Sequence, residues 1–89
     1  MHNFEVEEKL QKILEKLFKK DKNLYNQVWK KINEILNSFN IENYKNLRHD
    51  LKDFKRIHIG HFILVFKFDK SKNKICFEDF NHHDKIYKR

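Results

Sequence analysis

The sequence predicts an α+β domain in which an N-terminal antiparallel hairpin of two helices packs on one face of a three- to four-stranded antiparallel sheet. Two observations predict this fold. Apolar residues recur at helical spacing through the first 39 residues, and the apolar period changes to two from Phe54 onward. The chain has 89 residues, 39% of them hydrophobic, which is enough for one core. We therefore expect a single domain spanning residues 1–89.

The first half of the chain predicts the helix hairpin. One apolar stripe marks the first helix: Leu10, Ile13, Leu14, Leu17 and Phe18. The polar residues 20–23 form the connection, with Asp21 or Asn23 as the N-cap of the second helix. The stripe of the second helix consists of Tyr25, Val28, Ile32, Ile35, Leu36 and Phe39. Because the connection is short, the two helices should be antiparallel.

The second half predicts a meander of strands. A strand over 54–59 is followed by the dipeptide Gly60-His61 and by a β-branched and aromatic run over 62–68, which predicts a two-residue hairpin. A polar turn then precedes a third strand over 75–80. In the first of these strands Arg56 and His58 alternate with apolar residues, so both should point away from the helices.

The apolar pattern specifies the secondary structure of three segments less fully. Residues 41–53 predict either a loop or a short helical turn that brings Leu47 and Leu51 to the core. Residues 3–6 form a short additional strand or none. The tail from 81 to 89 is polar except for Ile86 and Tyr87.

Charge is concentrated in the second half of the chain. The net charge is +7, and residues 46–89 carry eight lysines and three arginines against six acids, together with five of the six histidines. An excess of this kind indicates a polyanionic partner, nucleic acid before others. With a single cysteine, no apolar run of membrane-spanning length and no signal segment, we expect a cytoplasmic protein with no membrane association.

Several kinds of active site are excluded. One glycine cannot build a phosphate-binding loop, and no Gly-x-Ser-x-Gly elbow occurs. The acids of the second half lie beside lysines or in turns and are expected to be solvated rather than to bind two metal ions: Asp50, Asp53, Asp69, Glu78, Asp79 and Asp84. His82-His83-Asp84 contains metal-ligand types, but adjacent side chains diverge, so we expect no metal and no cofactor. Cys76 is expected in the core.

The remaining polar residues suit metal-free RNA cleavage. They are Arg56, His58, His61, Lys67, His82, His83, Tyr87 and Lys88. In that reaction a base takes the proton of the 2′-hydroxyl, cations stabilise the charge that develops on phosphorus, and an acid protonates the departing 5′-oxygen. A basic protein that only binds RNA would have the same composition.

The order of these residues resembles the RelE/ParE superfamily of small toxins. The resemblance rests on residues 54–66 and 82–87, with Lys45-x-Leu47-Arg48 before them and a helix hairpin that also matches. It implies the toxin of a type II toxin–antitoxin pair, which in RelE-like members cleaves mRNA in the ribosomal A site. It also implies an acidic, RelB-like antitoxin that folds on binding.

The resemblance assigns roles to individual residues. It implies catalytic roles for Arg56, His58, His83 and Tyr87. It implies RNA binding by Arg48, Lys55, His61, Lys67, His82 and Lys88. Ile63 stands where many members have an arginine. Each role has a structural alternative: Arg56 could pair with Asp53 or Glu78, and Tyr87 could be a packed anchor.

Two other functions remain open at this stage. A ParE-like poison of DNA gyrase would cut nothing itself, and the missing arginine at Ile63 favours it, whereas the histidine and tyrosine of the tail favour cleavage. A basic RNA- or ribosome-binding module without catalysis is the third alternative.

Overall fold

The computed structural model describes residues 2–47 and 53–87. These residues form two long helices, a four-stranded sheet, a 3₁₀ turn and a short C-terminal helix. In chain order the elements are β1 (Asn3–Val6), α1 (Glu8–Lys20), α2 (Lys22–Leu36), the 3₁₀ turn (Ile41–Asn43), β2 (Lys55–Ile59), β3 (Phe62–Asp69), β4 (Lys74–His82) and α3 (His83–Tyr87). None of the helices in the described ranges is long and apolar enough to cross a membrane.

The sheet confirms the predicted α+β fold and adds one parallel strand. Its order is β1-β4-β3-β2, with antiparallel pairs β2–β3 and β3–β4. β1 pairs with β4 in parallel, so the sheet is mixed and mostly antiparallel. In the sequence, both helices lie between β1 and its partner β4. Two parallel strands need a long connection of this kind, because a tight turn can join only antiparallel strands.

The middle of the sheet is covered on both faces. The helix hairpin covers one face, where Leu64 and Phe66 of β3 pack with Leu10 of α1 and Ile32 of α2. We call this the helix face. On the opposite face, which we call the open face, a smaller core consists of Leu47, Ile63, Val65 and Ile86. Because side chains alternate along β3, one strand supplies both cores.

The helix hairpin is as predicted, with two differences in its apolar stripes. Asp21 caps α2, since its Oδ1 accepts a hydrogen bond from the backbone N–H of Leu24 at 3.1 Å. The prediction that Phe39 belongs to α2 was wrong: the helix ends at Leu36, where the polar residues 37–40 begin, and Phe39 is fully exposed. Phe18 lies at the margin of its stripe, 48% exposed, against the ring of Tyr25.

The β2–β3 hairpin has the predicted two-residue turn. Ile59 pairs with Phe62, which leaves only Gly60 and His61 between the strands. Gly60 has φ of +62°, and a positive φ at the first turn residue alone is the type II′ pattern, which glycine adopts without strain.

The segment before β2 and the C-terminal tail contain structure that the apolar period did not determine. Residues 41–43 form the 3₁₀ turn and Leu47 is buried, whereas Leu51 lies outside the described residues. The polar tail contains α3, whose Ile86 is completely buried on the open face.

The prediction that Asp79 is a solvated acid was wrong. β4 has a register shift opposite Val65 and Phe66, and Asp79 is only 2% exposed. Its Oδ2 accepts a hydrogen bond from Lys9 Nζ at 3.1 Å, and its Oδ1 accepts one from the backbone N–H of Phe80 at 2.9 Å. A strand period cannot show that α1 brings a lysine to this carboxylate.

Candidate active site

Four of the predicted site residues come together on the open face. Arg56 Nη1 lies 2.9 Å from His58 Nε2, the rings of His58 and His83 stack with centroids 6.1 Å apart, and the rings of His83 and Tyr87 meet edge to face at 4.9 Å. We call Arg56, His58, His83 and Tyr87 the Arg–His cluster. These are the residues for which a catalytic role is predicted, and the fold brings them into one continuous group.

Secondary structure explains how the Arg–His cluster forms. Arg56 and His58 are two residues apart on β2 and are registered with Val65 and Ile63, so they lie on the open face. α3 begins directly after β4. Its first residue is fixed by a hydrogen bond of 2.9 Å from the backbone N–H of His83 to the carbonyl of His61. His83 and Tyr87 are four residues apart and therefore share one side of α3.

Arg56 has an unusual set of contacts. Its guanidinium donates to His58, and its buried Nε–H has no hydrogen-bond partner among the described residues. Neither Asp53 nor Glu78 forms an ion pair with it, although sequence reasoning had considered both. Since an arginine side chain can only donate, His58 Nε2 must accept, and His58 is neutral with its proton on Nδ1.

The surroundings of His58 favour this neutral form. Loss of solvent contact and the positive charges of Arg56, His83 and Lys45, in that order, lower the pKa of His58 below its ordinary value. Lys45 was not among the predicted site residues, although it begins the Lys-x-Leu motif. Its carbonyl accepts a hydrogen bond from the Arg56 backbone N–H at 2.9 Å, which holds it beside the Arg–His cluster.

The C-terminal side of the Arg–His cluster combines a carboxylate with core packing. Asp84 Oδ1 lies 3.4 Å from His83 Nδ1. Tyr87 is partly buried and packs against the open-face core, as in the structural alternative considered for it, and its ring also contacts His83. Asp84 was not predicted as part of the site.

The other predicted RNA-binding residues are distributed more widely. Lys67 lies on the open face, with its ammonium group 4.6 Å from the ring centre of Phe54. Lys55 lies toward the helix face, where its ammonium donates to the carbonyl of Tyr44 and to Asn46 Oδ1. Arg48 and Lys88 lie outside the described residues.

His61 and His82 form a second histidine pair at the tip of the hairpin. Their rings stack with centroids 6.2 Å apart. His82 is registered with Phe62, which packs against the helix-face core, so this pair lies apart from the Arg–His cluster. The neighbours His82 and His83 stack on different rings, those of His61 and His58, but both lie near Asp84, at 3.8 and 3.4 Å from its carboxylate oxygens.

One group outside the Arg–His cluster could hold a metal ion. The ligand atoms of Glu5, Glu7 and Cys76 lie within 4.8 Å of one another, at the β1 edge of the sheet, away from β2. These groups already bind each other or a neighbour: the Cys76 thiol donates to Glu7, and Glu5 pairs with Lys74. Burial and the adjacent Glu78 and Glu7 raise the pKa of Cys76, which disfavours its thiolate form. Cys76 is half-buried rather than part of the core.

The chain is similar to a named toxin in sequence and to solved toxin structures in fold. No family model matches the chain. A Methanocaldococcus jannaschii protein named "Putative toxin RelE4" is 48% identical over 90 residues, which covers 100% of this chain and 94% of the relative.

Two solved structures illustrate the likeness in fold. The isolated E. coli RelE toxin has a TM-score of 0.74 at 23% identity and covers 99% of this chain and 93% of its own. The toxin–antitoxin complex RelBE2 of Mycobacterium tuberculosis contains a chain with a TM-score of 0.75 at 16% identity, covering 92% of this chain and 98% of its own.

Proposed function

Since the chain belongs to the RelE family of toxins, we propose that it is the toxin of a type II toxin–antitoxin system and a metal-independent, ribosome-dependent mRNA endonuclease. The activity would inhibit translation, and the protein would work in the cytoplasm, where ribosomes are. The single observation that carries the proposal is the contact of two imidazoles, one guanidinium and one phenol on one face of the sheet.

The Arg–His cluster has the groups that RNA cleavage without a metal needs. Two imidazoles 6.1 Å apart can flank a phosphodiester, one to take the proton of the 2′-hydroxyl and the other to give a proton to the 5′-oxygen. Arg56 supplies a permanent positive charge for the phosphorane oxygens. The products would be a 2′,3′-cyclic phosphate and a 5′-hydroxyl.

Different surroundings suggest different roles for the two imidazoles. His58 is neutral and therefore suits the base, whereas His83 beside Asp84 suits the acid. Tyr87 can stack on a base or assist proton transfer at His83. This division needs no group from outside the chain.

Cations around the Arg–His cluster would hold the rest of the RNA. Lys67 lies on the same face, and Lys45 lies beside Arg56. We include Arg48, Lys88, His61 and His82 as RNA contacts beyond the cleaved phosphate, the last two through their stacked rings at the hairpin tip. Lys55 would contribute mainly by fixing β2 to residues 44–46.

An acidic antitoxin is the proposed protein partner. The chain carries a net charge of +7, and a solved structure of the same fold is a toxin–antitoxin complex. A RelB-like segment that folds on binding could neutralise the open face and exclude mRNA from the Arg–His cluster.

The test measures mRNA cleavage on ribosomes. Purified protein is added to programmed ribosomes, and new RNA ends are mapped by primer extension and tested for 2′,3′-cyclic phosphates. We expect cleavage by the parent, and a loss of at least about 100-fold in His83→Ala, as is typical when a general acid is removed.

A control is Lys31→Ala, because it removes a cation of α2 that pairs with Glu34 and lies away from the open face. This variant should keep most of the activity. Intact mRNA with the parent protein, or equal cleavage by His83→Ala and the parent, would contradict the proposal. Inhibition of gyrase supercoiling without any new RNA ends would favour the ParE-like alternative instead.

A further inference from the structure

The hydrogen bond between Arg56 and His58 occupies the atom that the proposed base needs. In a neutral imidazole with its proton on Nδ1, only Nε2 can accept a proton. Arg56 Nη1 donates to that atom at 2.9 Å. The 2′-hydroxyl of a substrate cannot use the same lone pair while this hydrogen bond exists.

Arg56 also has a hydrogen-bond donor without an acceptor among the described residues. Its Nε–H is buried and has no partner among the described residues, and no described carboxylate neutralises its charge. A phosphate group can accept two parallel hydrogen bonds from a guanidinium, and such charge-assisted bonds are stronger than a bond to neutral imidazole. A phosphate within reach should therefore draw the Arg56 side chain away from His58.

We propose that the Arg56–His58 hydrogen bond is a latch: Arg56 covers the lone pair of His58 in the free protein, and an RNA phosphate that binds Arg56 exposes it. The inference rests on the proposed function, because it concerns the same site and the same substrate. It gives Arg56 a second role, since this residue then couples phosphate capture to activation of the base.

The exchange of charges around His58 makes the uncovered imidazole a stronger base. Among the described residues, the positive groups that face it are Arg56 from β2, His83 from α3 and Lys45 from the segment before β2. When Arg56 turns to a phosphate, one positive charge moves away and a negative charge arrives. Both changes favour protonation of His58 when substrate is bound.

Once the Arg56–His58 hydrogen bond is broken, the proposed cleavage is balanced in protons and bonds. His58 Nε2 takes the proton of the 2′-hydroxyl, the 2′-oxygen bonds to phosphorus, and the bond from phosphorus to the 5′-oxygen breaks. The 5′-oxygen takes a proton from the protonated His83. His58 ends protonated and His83 neutral, and exchange with water restores both.

Nuclear magnetic resonance of the histidine side chains tests the latch on the full chain without ribosomes. In the free parent we expect His58 protonated on Nδ1, with a pKa below the ordinary value for histidine. Addition of a short 2′-O-methylated RNA, which has phosphates but cannot be cleaved, should raise the pKa of His58. The signals of His2 serve as the internal control, because this histidine binds Ser38 and Asn73 at the β1 edge of the sheet, away from Arg56.

Two substitutions of Arg56 separate its hydrogen bond to His58 from its positive charge. Arg56→Ala should raise the pKa of His58 in the free protein and remove the preference for the Nδ1 proton. Arg56→Gln keeps a neutral donor for His58 Nε2, so it should preserve that preference and provides a second reading if Arg56→Ala does not fold. With Arg56→Gln, RNA should no longer uncover Nε2.

Several outcomes would overturn the latch. One is a His58 proton on Nε2 in the free parent. Another is a pKa of His58 that neither Arg56→Ala nor the methylated RNA changes. If His58 behaves as expected but ribosome-bound mRNA stays intact, the latch stands and the proposed nuclease function fails, so the two failures are distinguishable.

Discussion

At the scale of single residues, the Arg56–His58 pair shows how the local arrangement gives a histidine one protonation state. Arginine keeps its proton at any physiological pH, so the hydrogen bond exists only while His58 is neutral. Sequence reasoning placed both side chains on the open face from the strand alternation alone. It could not identify their hydrogen bond, because the bond depends on the rotamers of both side chains.

His58 should make the stability of the protein depend on pH. The folded-state pKa of His58 lies below its unfolded value of about 6.5, so the folded protein binds fewer protons there than the unfolded chain. The stability that neutral His58 contributes is complete above the unfolded pKa and is lost as the pH falls through it toward the folded pKa. We expect His58→Gln to show a smaller decrease in melting temperature on acidification than the parent.

His61→Gln is the control, since it removes an exposed histidine that lies outside the Arg–His cluster. Its decrease in melting temperature on acidification is compared with those of the parent and of His58→Gln. A His58→Gln protein whose melting temperature falls as steeply as that of the parent would show that His58 does not titrate differently in the two states.

Asp79 is a polar residue whose substitution should lower the stability of the fold. The carboxylate is buried, bonded to Lys9 and to the backbone of Phe80. Asp79→Ala should lower the free energy of unfolding by about 1–3 kcal/mol, because it leaves the buried N–H of Phe80 without its acceptor. Urea denaturation measures the change.

The exposed pair Glu8–Lys12 on α1 gives a matched comparison for Asp79. Its atoms are 3.4 Å apart and both side chains are mostly in solvent. Glu8→Gln should change the free energy of unfolding by no more than about 0.5 kcal/mol. Equal effects of the two substitutions would mean that burial does not increase the contribution of Asp79 to the free energy of unfolding.

At the scale of elements, the predictability of each helix follows from what stabilises it. α1 and α2 have apolar stripes of several turns, and Asp21 provides a recognisable cap, so sequence reasoning found both. α3 has only five residues and one buried side chain, Ile86. A helix this short has no stability of its own, so it depends on tertiary packing that no local pattern shows.

The cap of α2 offers a direct test of local sequence signals. Asp21→Ala removes the acceptor of the Leu24 N–H and should cost about 0.5–2 kcal/mol of stability. Asp21→Asn keeps a side-chain oxygen and should cost much less. Equal melting temperatures for Asp21→Ala and the parent would show that the cap does not contribute to folding.

The attachment of α3 should control the Arg–His cluster. Ile86→Ala removes the side chain that binds α3 to Ile63 and Val65, and such a truncation costs about 2–5 kcal/mol in a core. We expect hydrogen exchange in α3 to accelerate, together with loss of the His58–His83 ring contact. Ile86→Val, which costs about 0.5–1.5 kcal/mol, should retain that contact. Fast exchange in the parent itself would contradict this dependence.

At the scale of the whole molecule, the two faces of the sheet have different roles. The helix hairpin buries one face and supplies most of the core, while the open face has a smaller core with Arg56, His58 and Lys67 around it. The net charge of +7 alone indicates only some polyanion. The register of β2 and β3 is what locates cations and histidines together on the open face.

RNA affinity should therefore depend on which face loses a charge. Each phosphate contact with single-stranded RNA contributes roughly −0.7 to the slope of log affinity against log salt concentration. Lys67→Gln should make the slope for the 2′-O-methylated RNA shallower by about that amount, since Lys67 lies on the open face. Lys31→Gln removes the same charge from α2, where Lys31 pairs with Glu34, and should leave the slope unchanged. Binding titrations over a series of salt concentrations measure both slopes. Because the two variants have the same net charge, equal slopes would mean that RNA responds to the total charge of the protein and that the open face is not its binding surface.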